Sequence, residues 1–425
     1  MSESRPLDTR PVVPLTNAQL LVAATRSLVG WAVLLIGALL PVMFLSATSV
    51  IDEFSASHSP TEAHGKGWLL LLGWGVFGFS CISYGLLVDL MPRFKSRRTG
   101  QIMVALGSLI ALGLVLPTNS ITQLGYLLVI IQIPSAIVCM IVTMQLTKAK
   151  QKTGRGSASA IFAIGIFSAY FLANFIAFGN DSIGAIKIVV ITTLVISAIG
   201  LLVNVWLKRH PGKPIRQRIS KSDKKRLQVT NFIRFIVTNI VFLSCVYGIQ
   251  YNFSQIANNN TNKKGVTLDQ IITSSVNLYT VGSLAAVFGT VFFLFATERI
   301  ERTYLIGTIV FGIATLMTVG ISKAAIFVVI QSLSGFGLGI MSTTLLVLTI
   351  TYFPRKMWRG RAVGLLFASI ATAHIVGPIV SHFLIGDSQG SRFTAMLMAY
   401  SIASCATAGI LHVTRAKPND FHITM

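Results

Sequence analysis

Apolar runs of about 17 to 28 residues recur along this chain, and their length constrains it more than any other feature. About 20 residues of helix cross a bilayer core roughly 30 Å thick. Lipid offers no partner to an open N–H or C=O, so a run of this length in a membrane must be helical. Barrel strands would be about half as long and would alternate polar with apolar residues. Twelve spans are expected, over 28–50, 68–91, 101–117, 124–146, 158–179, 184–206, 232–256, 270–297, 304–320, 324–352, 362–385 and 394–414. Only 11% of the 425 residues are charged, well under the roughly 25% of a soluble domain. A soluble fold of this length is thereby excluded.

A formal net charge of +22 raises the question of nucleic acid, and the position of the basic residues answers it. With the N-terminus inside, 29 of the 35 Lys and Arg fall on the N-terminal tail, the even-numbered loops and the C-terminal tail, leaving six on the other side. The acidic residues divide seven to six. An asymmetry carried by Lys and Arg alone is the positive-inside pattern. Both termini are therefore expected to be cytoplasmic, with the lipid bilayer as partner and no nucleic acid.

The first 17 residues are polar and no cleavage site follows a short apolar core, so the first span is expected to act as its own insertion signal. Cys81, Cys139, Cys245 and Cys405 fall inside spans without CxxC spacing, so no metal, redox centre or cofactor is expected. Sequons at Asn180, Asn252 and Asn259 are about as frequent as polar loops give by chance. Short loops and tails point to a multi-pass protein of a bacterial inner (plasma) membrane, acting as a monomer.

The longest polar interruption runs from Lys208 to Arg226, with nine basic residues and two prolines. It divides the chain into a six-helix bundle over 1–206, a basic cytoplasmic linker over 207–230 and a second bundle over 231–425. The second half echoes the first. Arg26-Ser-Leu-Val29 with Val33 matches Arg234-Phe-Ile-Val237 with Val241 at an offset of 208 residues. Asp89 and Glu298, each closing a helix before a basic loop, correspond at 209, and Ile131-Gln132 matches Ile330-Gln331 at 199. Arg155-Gly-Ser-Ala158 matches Arg359-Gly-Arg-Ala362 at 204. Four matches in one order at nearly constant offset indicate a duplication, and an even number of spans per unit makes the repeats parallel.

After the second span the chain reads Gly85-Leu-Leu87-Val-Asp89-Leu-Met-Pro-Arg93-Phe-Lys95. This resembles the G-x-L-x-D-R-x-G-R-R signature of the major facilitator superfamily, with Leu90 and Pro92 departing from it. The loop Glu298-Arg299-Ile-Glu-Arg302 is similar to D-R-x-G-R. The order Gln331, Gly335, Gly337, Gly339, Phe353-Pro354, Arg359-Gly-Arg-Ala and Gly377-Pro378 resembles helices ten and eleven of that family. The resemblance covers essentially the whole chain. It implies an all-α membrane protein of twelve transmembrane helices in two six-helix parallel repeats, the major facilitator fold. It also implies a conformational latch of Asp89, Arg93, Glu298, Arg299 and Arg302 that joins the halves on the cytoplasmic side. Drug–proton antiporters of the family carry Gly-Pro in helix five, where this chain has Ala173-Asn174, so antiport is weakened.

An ionisable side chain at membrane depth is costly and marks function by default. His374 is the one placed deep, paired by the repeat with Tyr170. It is the candidate for proton coupling, with a neutral histidine bonded between helices as the alternative. Asp52, Glu53 and His382 lie nearer the outer surface. Tyr247, Gln250 and Tyr251 share a helical face by their spacing, and Gln132 and Gln331 lie on helices that line the central path in the family. With Tyr170 these form the expected substrate site, suited to a neutral or amphiphilic solute. The alternative is that such Gln and Tyr side chains bind helices together. Gly335 and Gly339, four residues apart, are assigned to close helix packing.

The expected function is secondary transport of a small solute by alternating access, with protons as a candidate coupling ion. A lipid or glycolipid flippase of the same fold and a transport-dead membrane sensor are the alternatives. No nucleophile, metal cluster or acid pair points to an enzyme, and no P-loop points to ATP.

Overall fold

The computed structural model describes residues 17–46, 64–91, 102–103, 107, 111–119, 121–147, 152–178, 182–208, 229–260, 266–290, 300–352, 359–385 and 391–413. Among them the first half contributes α1 (Asn17–Phe44), α2 (His64–Leu90), α3 (Ile121–Leu146), α4 (Lys152–Phe178) and α5 (Ser182–Lys208). The second contributes α6 (Val229–Tyr251), the short α7 (Phe253–Asn260), α8 (Leu268–Gly289), α9 (Ile300–Met317), α10 (Ala324–Tyr352), α11 (Arg359–Ile385) and α12 (Ser391–Val413). Eight of these helices are long and apolar enough to cross a membrane, and Val29–Phe44 and Arg302–Met317 are shorter apolar stretches. The tenth span was placed at the bounds of α10. The third lies mostly outside the described residues, which give only a π-helical turn over Ala111–Val115 and a few flanking positions.

Local chemistry explains several boundaries. The Thr267 hydroxyl accepts the Gln270 N–H while the Gln270 side chain accepts the Thr267 N–H, a reciprocal capping box that starts α8. Gly320, at φ +79°, reverses the chain after α9 in a conformation that costs a glycine little. The expected seventh span, 232–256, is two helices broken at Asn252. There the Asn252 amide donates to the Gly248 carbonyl at 2.8 Å and to Ser381 Oγ at 2.8 Å. A side chain that takes a helix carbonyl competes with the helix itself.

Within the first half α1 packs on α3, α4 and α5, and α2 packs on α3. Within the second, α10 packs on α8 and α9, α11 on α6, and α12 on α6 and α9. Among the described residues the halves meet where α2 and α3 pack on α11 and where α4 packs on α8 and α10. Without a hydrophobic force between helices in lipid, close backbone approach has to be built from small residues. In the α2–α11 crossing a Cβ on Gly85 would stand 2.5 Å from the Gly360 carbonyl oxygen. The Gly335 and Gly339 pair does the same for α10, abutting the Tyr279 and Ser283 carbonyls of α8.

Candidate functional site

The α2–α11 crossing carries chemistry at each end. At one end the Asp89 carboxylate accepts two backbone N–H groups at the start of α11, Gly360 to Oδ1 and Arg361 to Oδ2, both at 2.9 Å. The first turn of a helix has N–H groups without helical partners and the positive end of the helix dipole, and a carboxylate satisfies both. Arg361 Nε adds an ion-pair contact at 3.8 Å, and the Asp89 side chain is only 3% exposed. Glycine at 360 is required here because a Cβ would meet Asp89 Oδ1 at 2.8 Å. Of the expected latch set, Arg302 is exposed on α9, and Arg93, Glu298 and Arg299 lie outside the described residues. The basic partner that the described residues show for Asp89 is Arg361, which the Arg359-Gly-Arg-Ala echo had singled out only as a repeat.

About four helical turns further along, His374 of α11 is held between two aromatic rings. Trp74 of α2 stacks on one face, with centroids 3.5 Å apart and planes 13° apart, and Tyr247 of α6 on the other, at 3.3 Å and 24°. The His374 Nδ1–H donates to the Ile370 carbonyl at 2.9 Å. A carbonyl only accepts, so in the neutral ring the lone pair is on Nε2. Trp74 Nε1 donates to Ser46 Oγ at 2.9 Å. Pro378 lies four residues beyond His374 inside α11 and has no N–H to return to the His374 carbonyl. Asn239 to Ser369 and Asn252 to Ser381, both 2.8 Å, stitch α6 to α11 on either side.

The remaining expected residues separate. Tyr170, Gln250 and Gln331 line one cavity, together with Ser275, Tyr279, Phe253, Phe311 and Thr315. Gln250 Nε2 donates to the Tyr279 hydroxyl at 3.2 Å, and the Tyr170 and Tyr279 rings meet edge to face at 6.3 Å. Ser275 Oγ is buried there without a partner. None of the described lining residues is charged. Tyr247 faces His374 instead, and Tyr251 is half-buried outside the lining. Gln132 is fully buried in the first half, where its amide donates to the Leu128 carbonyl at 3.0 Å and the Pro41 carbonyl at 3.4 Å. Sequence reasoning missed Trp74, Tyr279 and Ser275. Nothing but membrane depth on α2 and α8 marked them.

Residues 240–422 match the model of the Major Facilitator Superfamily. No curated protein matches the chain. Among solved structures, the human organic anion transporter MFSD10 (TETRAN) is similar with a TM-score of 0.67 and 13% identity, over 94% of this chain and 100% of that one. A bacterial homologue of the iron transporter ferroportin, in an outward-facing state, is similar with a TM-score of 0.65 and 14% identity, over 92% of this chain and 98% of that one. The chain therefore carries the fold of the Major Facilitator Superfamily, whose family pattern its second half matches.

Proposed function

We propose that this protein is a secondary transporter that moves an uncharged or amphiphilic solute by alternating access, with halves 1–206 and 231–425 rocking about the 207–230 linker. The observation that carries the reading is the clasp of Asp89 on the first turn of α11. It joins the halves through polar bonds that can be broken and remade at little net cost, unlike a continuous apolar interface. By the distribution of basic residues this end is cytoplasmic, so the conformation is closed on that side. Arg93, Glu298, Arg299 and Arg302 are assigned to the same latch by the family resemblance.

The solute site is the cavity of Tyr170, Gln250, Tyr279 and Gln331. Its described lining offers no counter-charge to an organic anion or a metal ion, which favours a cargo unlike those named for the two similar structures. The coupling ion is the proton, taken by Nε2 of His374, whose ring stands in the contact between halves. The working unit is a monomer in a bacterial inner membrane.

Spin labels on the two ends of α2 and α11, in the full chain in lipid nanodiscs, test the reading without knowledge of the solute. Two populations whose end-to-end distances change in opposite senses, with Asp89→Asn shifting their ratio, are expected. A single population indifferent to that substitution removes the transporter reading.

A further inference from the structure

Besides the cavity lined mostly by the second half, another in the first is lined by Ala38 and Pro41 of α1, Pro134 and Ser135 of α3 and Ser197 of α5, among others. Several of their wall positions correspond. Ala38 and Pro41 recur 208 residues later as Val246 and Ile249, and Ser135 recurs 199 residues later as Ser334, at the offsets by which the halves echo.

Their polar equipment has diverged. In the first half Gln132 spends its amide N–H groups on the carbonyls of Leu128 and Pro41. Its counterpart Gln331 is 5% exposed, lines the second cavity, and has no hydrogen-bond partner among the described residues. Ser275 Oγ, on the same wall, is buried and equally without one. Both groups face the cavity and can offer a guest hydrogen bonds worth about 0.5–1.5 kcal/mol each. At the offsets of 208 and 209 the first half has Val42 and Leu70 where the second has Gln250 and Tyr279, so the first cavity offers the hydroxyls of Ser135, Thr193 and Ser197 but no amide or phenol.

The walls fix the chemistry of the guest. An ion would be stripped of water with no described counter-charge to meet it, whereas Tyr170, Tyr279, Phe253 and Phe311 present ring faces and edges to a flat ring. One described lining residue, Tyr170, comes from the first half, on α4, and the others all lie between 246 and 397.

We propose that the second half alone holds the solute in this cavity, that the solute is an uncharged molecule with a flat ring and a hydrogen-bonding edge, and that Tyr170 is a lid supplied by the first half. When α4 swings from α8 the lid leaves, while Gln331, Ser275 and Tyr279 keep their places. The lid's use rests on the transporter reading; the binding does not.

The test uses the full chain in nanodiscs and three ligands of one shape, naphthamide, naphthoate and naphthamidinium. Naphthamide is expected to raise the unfolding temperature in proportion to its occupancy, with the two ions binding about tenfold more weakly or worse. Gln331→Leu should weaken naphthamide about tenfold, and Gln132→Leu should leave it unchanged. Tyr170→Ala should keep binding but speed release about tenfold in stopped-flow fluorescence. If Gln331→Leu does not fold, Ser275→Ala and Tyr279→Phe serve in its place.

Equal binding of the ions, undiminished binding by Gln331→Leu, or no binding of naphthamide by protein that unfolds cooperatively overturns the proposal. Loss of all binding in Tyr170→Ala overturns the lid. Naphthamide binding by a protein whose label distances never change keeps the site and removes transport. Changing distances without naphthamide binding does the reverse.

Discussion

Trp74 and His374 lie face to face, one on each half, with ring centroids 3.5 Å apart and both side chains nearly inaccessible. A stack of this kind is worth about 0.5–1.5 kcal/mol beyond area burial, and truncating a buried Trp costs about 3–5 kcal/mol in all. Trp74→Ala should therefore lower thermal stability strongly and Trp74→Phe mildly, as read by the unfolding temperature in detergent. Equal effects would show that the ring face contributes nothing.

The proposed coupling of protons through His374 has its own readout. His374→Gln keeps a hydrogen-bonding side chain but removes the ring nitrogen that could take a proton. Accumulation driven by a pH gradient in proteoliposomes should be abolished while solute exchange persists. Unchanged pH dependence would leave His374 as a neutral bridge between Trp74 and Tyr247.

Asp89→Asn retains the shape of the clasp and removes its charge. One oxygen can still accept an N–H from α11, but an amide NH2 then points at the other donor. Charge-assisted bonds of this type are worth about 1.5–3 kcal/mol, so turnover should fall several-fold with solute affinity little changed. Normal turnover would mean that the signature serves membrane topology only.

Gly85→Ala places a methyl group 2.5 Å from the Gly360 carbonyl oxygen. Helices in contact at backbone distance cannot absorb it without moving, and overpacking costs about 1–3 kcal/mol. The expected result is a longer label distance between the Asp89 end of α2 and the start of α11, together with the slow turnover of Asp89→Asn. An unchanged distance sinks this account of the crossing.

Asn252→Ala removes the amide that bonds Gly248 and Ser381 at the break between α6 and α7. A stability loss of about 1–2 kcal/mol is expected, with Ser381→Ala costing less because Gly248 keeps its bond. The same burial makes Asn252 a poor glycosylation acceptor although it sits in a sequon; glycan attached there in a eukaryotic host would contradict the placement.

The helices were legible because membrane length and apolar composition are local properties. The tenth span was read at its structural bounds, whereas the seventh was read as one because a side chain competing for a carbonyl at Asn252 has no signature in hydropathy. The site was half legible. Tyr170, Gln250 and Gln331 meet in one cavity as membrane-depth polar groups should, but Tyr247 and Gln132 have the same composition and face elsewhere. Their direction is set by which neighbour each helix packs on. Spacing on one helix cannot report that.

By itself the sequence determined the class of fold and the family resemblance, since each rests on run lengths and motifs that need no partner. Tertiary structure alone decided that Asp89 is met by the backbone of α11 and Arg361, that His374 is enclosed by Trp74 and Tyr247, and that Gln331 lines a cavity while Gln132 is bonded to the Leu128 and Pro41 carbonyls. The first two outcomes join residues more than a hundred positions apart, and only the packing of one helix against another brings them into contact.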